Sequence, residues 1–432
     1  MKRNRINRKL LSACISAALL FSVSVAQSSG ADPASTPNNK IVGAYFEEWS
    51  IYGANYNIAD VQNSGAAADL THLLYAFANV NSAGQCEIAD AWADYQDPNL
   101  PSVNGHPYTG SLHGNFAAIA QLKQLHPKLK VLISIGGASS VNITNFSAAA
   151  RTAAGRKELA SSCIDMFITG NLAQGVSAAG LFDGIDIDWE FPAAADKTNF
   201  TALLTEFRTE LAALGTKNKT SYLLTIAAPA GSQNYSNMQL AAVAAQLDFL
   251  NLETYDYHGT WEKTTNHAAP LFESPSDPAR GEGLYIEATV AAYLAGGVPA
   301  RKLVLGIPAY GRGWTGVPNK SLGLYQPSSG AAPSPSGDSL ATAGVATYRT
   351  LETLTSHGFT LHRDLLSLAD WLYNPSTQTF WTFDDPASVE FKMAYVTLRS
   401  GGLGGAFEWA LKDDDENATL TKTMFKGLHL LP

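Results

Sequence analysis

The feature that most constrains this chain is a recurrence: short apolar, β-rich runs return with helix-like stretches between them. Strands are expected near residues 41–46, 71–77, 131–135, 182–188, 222–228, 247–254, 303–308 and 404–409. The segments 115–125, 148–171, 199–214 and 287–296 are rich in Ala and Leu at helical spacing. Such alternation over about 390 of the 432 residues predicts an α/β protein built as a (β/α)8 barrel. A doubly wound open sheet is the alternative, but no Gly-rich phosphate loop follows the first strand. The stretch from the seventh to the eighth strand is too long for one crossover helix. It holds Pro/Ser/Gly turns at 326–338, a segment at 347–358 and a hairpin-like alternation at 371–382. Residues 312–383 are therefore expected as a small α+β insertion domain, and 41–311 with 384–432 as the barrel. Loops at the C-terminal end of barrel strands form the active site, so the insertion should wall a cleft. Nothing Pro- or Thr-rich follows Trp409, so no second module is expected there.

Residues 1–26 read as a secretory signal: Lys2, Arg3, Arg5, Arg8 and Lys9, then an apolar stretch at 10–25, then Ser24-Val25-Ala26 as a small-x-small cleavage site. The apolar stretch is short for a membrane span. Cys14 sits in a box resembling a lipid-attachment site, but no apolar segment precedes it. The polar residues 27–40 read as a linker. The expected location is therefore extracellular or periplasmic. There Cys86 and Cys163 either pair or remain two buried thiols, and the sequence leaves both open. Hydrophobic content of 46% with 16% charged residues describes a packed globular chain, and a formal net charge of −9 argues against nucleic acid and anionic membranes as partners. A monomer without cofactor is expected.

The chemistry concentrates in the run from Phe182 to Glu190. Read as a strand, it puts Ile185, Ile187 and Trp189 on one face and Asp186, Asp188 and Glu190 on the other. Same-face neighbours lie roughly 6–7 Å apart, close enough for each acid to raise its neighbour's proton affinity. A carboxyl kept protonated beside an ionised one suits acid-catalysed bond cleavage. A solvated acidic surface would lack the interleaved Ile, Ile and Trp. A calcium loop would want a glycine in mid-loop, whereas Gly184 precedes the acids, so no metal is expected.

Asp183-Gly-Ile-Asp-Ile-Asp-Trp-Glu190 resembles the DGxDxDWE signature of glycoside hydrolase family 18 chitinases. Ser134-Ile-Gly-Gly137 resembles the family's second short motif. Ala44–Trp49, Leu70–Phe77, Thr254–Gly259, Gly306–Arg312 and Gly404–Trp409 resemble its first, second, sixth, seventh and eighth strands, and the likeness covers about residues 40–425. It is closest to bacterial chitinases with the insertion domain. The resemblance implies that Glu190 protonates the glycosidic oxygen while the substrate's 2-acetamido oxygen attacks the anomeric carbon. Asp188 would accept the acetamido N–H, Asp186 would share a proton with Asp188, and Tyr255 would position the acetamido oxygen. Trp409 would form the floor under the sugar, with Tyr45, Trp49 and Trp261 as stacking residues. Tyr310, Arg312, Asp256, Phe191, Phe77, Gly137 and Thr254 would complete the cleft, with Asp256 near the sugar hydroxyls or Arg312. Asp183, out of phase with the other acids, is expected as a structural acid at the barrel base. Trp189, Trp371 and Trp381 are expected in packing.

Two positions depart from the pattern. Glu253 stands where the family usually has Met, facing inward with Tyr255; Arg312 or a hydrogen-bonding neighbour is expected to compensate its charge. Ala138 stands where a Trp is common, which removes one stacking platform. The implied ligand is chitin or chitooligosaccharide. The competing readings are an endo-β-N-acetylglucosaminidase acting on glycan cores, a non-catalytic chitin-binding lectin, which would lack Glu190, and a metal-dependent hydrolase.

Overall fold

The computed structural model describes residues 40–429. The expected signal and linker, 1–26 and 27–40, lie outside the described residues except for Lys40. Each of the eight expected runs supplies one parallel strand: Ile41–Glu47, His72–Val80, Lys130–Gly136, Gly184–Asp188, Leu223–Ala228, Phe249–Leu252, Leu303–Pro308 and Gly405–Trp409. The first strand pairs with both the second and the eighth, so the sheet closes into a barrel. These runs are nearly continuously apolar because both faces are covered, by helices outside and by packed side chains within. Tyr45, Leu74, Ala76, Phe249, Val304 and Phe407 fill the interior.

Gly184 opens the fourth strand because the neighbouring backbone is close: a Cβ there would meet the Leu223 carbonyl oxygen at 2.4 Å. On the outer face of that strand Trp189 stacks on Phe146 at 5.3 Å and meets Phe200 edge-on at 5.6 Å. It is a packing residue despite its place in the motif. At the strand base Asp183 accepts hydrogen bonds from Lys123 and from the Val131 N–H, and pairs with Lys130 as well.

The helices Gly114–Leu125, Lys197–Asn218 and Ile286–Ala295 occupy expected stretches, and Pro386–Leu398 leads back to the eighth strand. The single helix expected at 148–171 is instead divided into Ser140–Ala150, Ala153–Cys163 and a wider turn at Ile164–Thr169. Thr152 makes the break: its hydroxyl accepts the Gly155 N–H at 3.0 Å, capping a new helix. Cys163, at the end of that helix, is bonded to Cys86.

Between the seventh and eighth barrel strands lies a second, antiparallel sheet with its own core of Trp314, Val317, Leu324, Trp371, Tyr373 and Phe380. Trp381 is buried on the side facing the barrel core. The first strand of this sheet, Tyr310–Thr315, begins ahead of the boundary expected at 312, so Tyr310 and Arg312 belong to the sheet itself. Among the described residues no helix is long and apolar enough to cross a membrane.

Candidate active site

The C-terminal ends of the strands open on a cleft of about 810 Å³. Glu190, Phe191, Glu253, Tyr255, Asp256, Trp261, Tyr310, Arg312, Trp409 and the exposed Ala138 all line it. The inserted sheet supplies Tyr310, Arg312 and Val345 to its wall.

The three acids of the fourth strand sit at successive depths. Asp186 is fully buried and accepts from Tyr45 (2.9 Å), Ser134 (2.8 Å), Thr225 (2.5 Å) and, at 3.5 Å, Asn251. Burial pushes its carboxyl up, and these donors pull it back. The expected proton sharing between Asp186 and Asp188 is replaced by a different pairing, because both Asp186 oxygens are already taken. Asp188 instead shares a hydrogen bond with Glu190, and its Oδ1 is buried with no partner. Burial and the charges of Glu190 and Asp186 hold Asp188 well above the usual carboxylate range. Burial likewise raises Glu190 to about 7, with the Asp188 hydrogen bond opposing and Asp256 adding to the rise. The site therefore stores protons near neutral pH.

Arg312 does not compensate Glu253. Its guanidinium grips Asp256 through Nε at 2.8 Å and Nη2 at 2.5 Å, and lies over the rings of Tyr310 and Trp261 at 5.2 and 5.4 Å. Asp256 also accepts the Tyr310 hydroxyl at 2.9 Å. Glu253 is left with a buried, unpartnered Oε2, and burial followed by the charges of Glu190 and Asp188 pushes its carboxyl well up. The charge problem is solved by a proton.

The aromatic floor is continuous. Trp409 lies 5.8 Å from Phe77, which lies 5.9 Å from Trp49, and Trp49 is 39% exposed. Phe77 joins the two indoles. Gly137 fits because it has no side chain: its φ is +81°, and a Cβ would strike the Phe77 ring at 2.8 Å. Two expectations are corrected. Tyr45 is only 1% exposed, with its hydroxyl spent on Asp186 and its ring 5.1 Å from Trp409; it holds the acid and the floor in place and cannot stack on a sugar. Thr254 is fully buried and turned away, giving its hydroxyl proton to the Gly306 carbonyl at 2.9 Å.

One wall went unread in the sequence. Lys412 contacts Glu47 at 2.9 Å and Asp413 at 2.8 Å, and all three line the cleft. Their signal was positional, since Glu47 ends the first strand and Lys412 closely follows the eighth.

Known proteins share this chain's sequence and fold. The model of Glycosyl hydrolases family 18 matches residues 41–414. Chitinase A1 of Niallia circulans is 36% identical over 425 residues, covering 88% of this chain; the chain spans 57% of that relative's length. The catalytic domain of psychrophilic chitinase B from Arthrobacter TAD20 superposes with a TM-score of 0.82 at 34% identity, covering 92% of this chain and 97% of that one. A class V chitinase from Nicotiana tobaccum, solved in complex with NAG4, has a TM-score of 0.72 at 26% identity, covering 90% and 99%. The chain belongs to family 18 of the glycosyl hydrolases and shares its barrel with solved chitinases.

Proposed function

We propose that the chain is a secreted chitinase that hydrolyses β-1,4 bonds between N-acetylglucosamine units, with retention, through an oxazolinium intermediate made by the substrate's own acetamido group. The observation that carries this reading is the hydrogen-bonded pair of Asp188 and Glu190 at the mouth of the fourth strand, with Tyr255 beside it and Trp409 as floor. Glu190 gives its proton to the glycosidic oxygen, and the bond from that oxygen to the anomeric carbon breaks. The acetamido carbonyl oxygen forms the new bond to that carbon. As Asp188 turns from Glu190 it leaves the proton they share on Glu190, and as a carboxylate it accepts the acetamido N–H and offsets the positive charge that develops. Asp186, fixed by its donors, sets the depth and orientation of this machinery, and the Tyr255 hydroxyl aligns the acetamido oxygen. Glu190, now a carboxylate, takes a proton from water, which opens the oxazolinium ring from the face the leaving sugar occupied.

A time course of chitohexaose cleavage with anomers resolved by NMR tests this reading: the first product should be the β-anomer. Fully deacetylated chitosan should remain intact, since it lacks the nucleophile, and its efficient cleavage would refute substrate assistance. The Glu190 carboxyl speaks against a lectin. Preference for a high-mannose glycopeptide over chitotetraose would move the assignment to a glycan-core endo-β-N-acetylglucosaminidase.

A further inference from the structure

Glu253 stands in the cleft with no role in the chemistry just described. Oxygens of Asp188, Glu190 and Glu253 lie within 4.8 Å of one another. The three carboxyls therefore stand as one cluster, with Glu190 and Glu253 both lining the cleft. The two basic side chains that line the cleft are both engaged, Arg312 by Asp256 and Lys412 by Glu47 and Asp413. An ionised Glu253 would face two like charges with no cation, so it stays neutral and offers one O–H donor and one acceptor. Its Oε2 is buried with no partner, so that capacity is unused within the protein. Glu253 and Tyr255 share the cleft wall, while the intervening Thr254 points away to Gly306.

We propose that Glu253 is a specificity-determining residue: as a neutral acid it hydrogen-bonds the acyl arm of the sugar at the cleavage point, and its pocket accepts acyl arms that carry a hydroxyl, N-glycolyl as well as N-acetyl. This rests on the substrate-assisted reading, which puts the acyl arm beside Asp188 and Tyr255. An apolar side chain at this position would leave such a hydroxyl buried without a partner, and a site that rejects a ligand in that way discriminates strongly.

The test is kcat/KM for chitotetraose and its N-glycolyl counterpart, measured for the parent, Glu253→Gln and Glu253→Met. The parent should favour the N-acetyl substrate by less than about tenfold, E253Q should keep that ratio within about threefold, and E253M should raise it by a further tenfold or more. A ratio does not depend on how much enzyme is folded, so a purely structural role would leave it unmoved. An unchanged ratio in E253M overturns the proposal, as does a parent that cleaves the N-acetyl substrate and rejects the N-glycolyl one by more than about a hundredfold. A parent that cleaves neither substrate overturns the underlying chitinase reading instead.

Discussion

The fourth barrel strand carries acids at both ends, and their surroundings are opposite. At the base, Asp183 meets Lys123 at 2.7 Å and Lys130 at 3.2 Å and also accepts the Val131 N–H at 2.9 Å. At the cleft end, Asp188 and Glu190 have each other, with Glu253 alongside and no cation free to join them. Basic residues are present nearby, but Arg312 is held by Asp256, and Lys412 by Glu47 and Asp413. The same side-chain chemistry therefore yields an anchor between two strands where counter-charge is supplied, and a proton-holding acid where it is withheld. Among the described residues, both cations lining the cleft are diverted to other partners, which leaves these carboxyls to hold protons.

Breaking the cleft end should have the larger consequences. Glu190→Gln removes the transferable proton while keeping shape, and turnover of chitotetraose should fall by at least about a thousandfold while its affinity, read by calorimetry, changes little. Lost affinity in that variant would contradict the acid's role. Supplying the missing cation should come next. Glu253→Lys sets an ammonium beside Asp188 and Glu190, favours their ionised forms, and should lower kcat/KM near neutral pH by about a hundredfold while moving its alkaline limb to lower pH. If the limb stays in place, withheld charge is not what tunes the pair. In the parent, a Glu190 carboxyl raised to about 7 is protonated below that pH and lost as an acid above it. The kcat/KM profile should accordingly fall about tenfold per unit on the alkaline side of 7.

The two ends were not equally legible. Alternation of apolar runs was enough for the barrel, because each strand is buried on both faces and its sequence reports that directly. The period of two along 182–190 separated Asp183 from the other acids, and the structure places it with the lysines at the base. Harder to read was which partner each cleft acid takes. That depends on residues brought in from other strands: Tyr45, Ser134, Thr225 and Asn251 converge on Asp186 from four of them, and only the closed sheet brings them together. Tyr45 looked like a stacking residue because it lies near the end of the first strand, in a place the family resemblance gives to sugar stacking. It lies inside the barrel, where alternation sends Tyr45 inward. Arg312 could not be assigned between Glu253 and Asp256 from the chain alone; Asp256 takes it, turning back from a backbone with φ +56°. The Lys412 wall escaped notice because its residues join the first and eighth strands, far apart in sequence and adjacent only through closure.

The base end should respond in the opposite currency, stability without activity. Asp183→Asn keeps the shape and an acceptor for the Val131 N–H but removes the charge that Lys123 and Lys130 face. Both partners keep some solvent contact, with side chains 19% and 50% exposed, so screening limits the loss. About 0.5–1.5 kcal/mol of unfolding free energy should go, a small downward shift in Tm. Turnover should remain within about twofold of the parent, because Asp183 lies at the opposite end of the strand from the cleft. The pH profile separates this variant from those at the cleft: its alkaline limb should still break near 7, where Glu190 titrates. A limb that moved in D183N would mean that charge at the base reaches Asp188 and Glu190 through the strand, and that the two ends are electrostatically coupled after all.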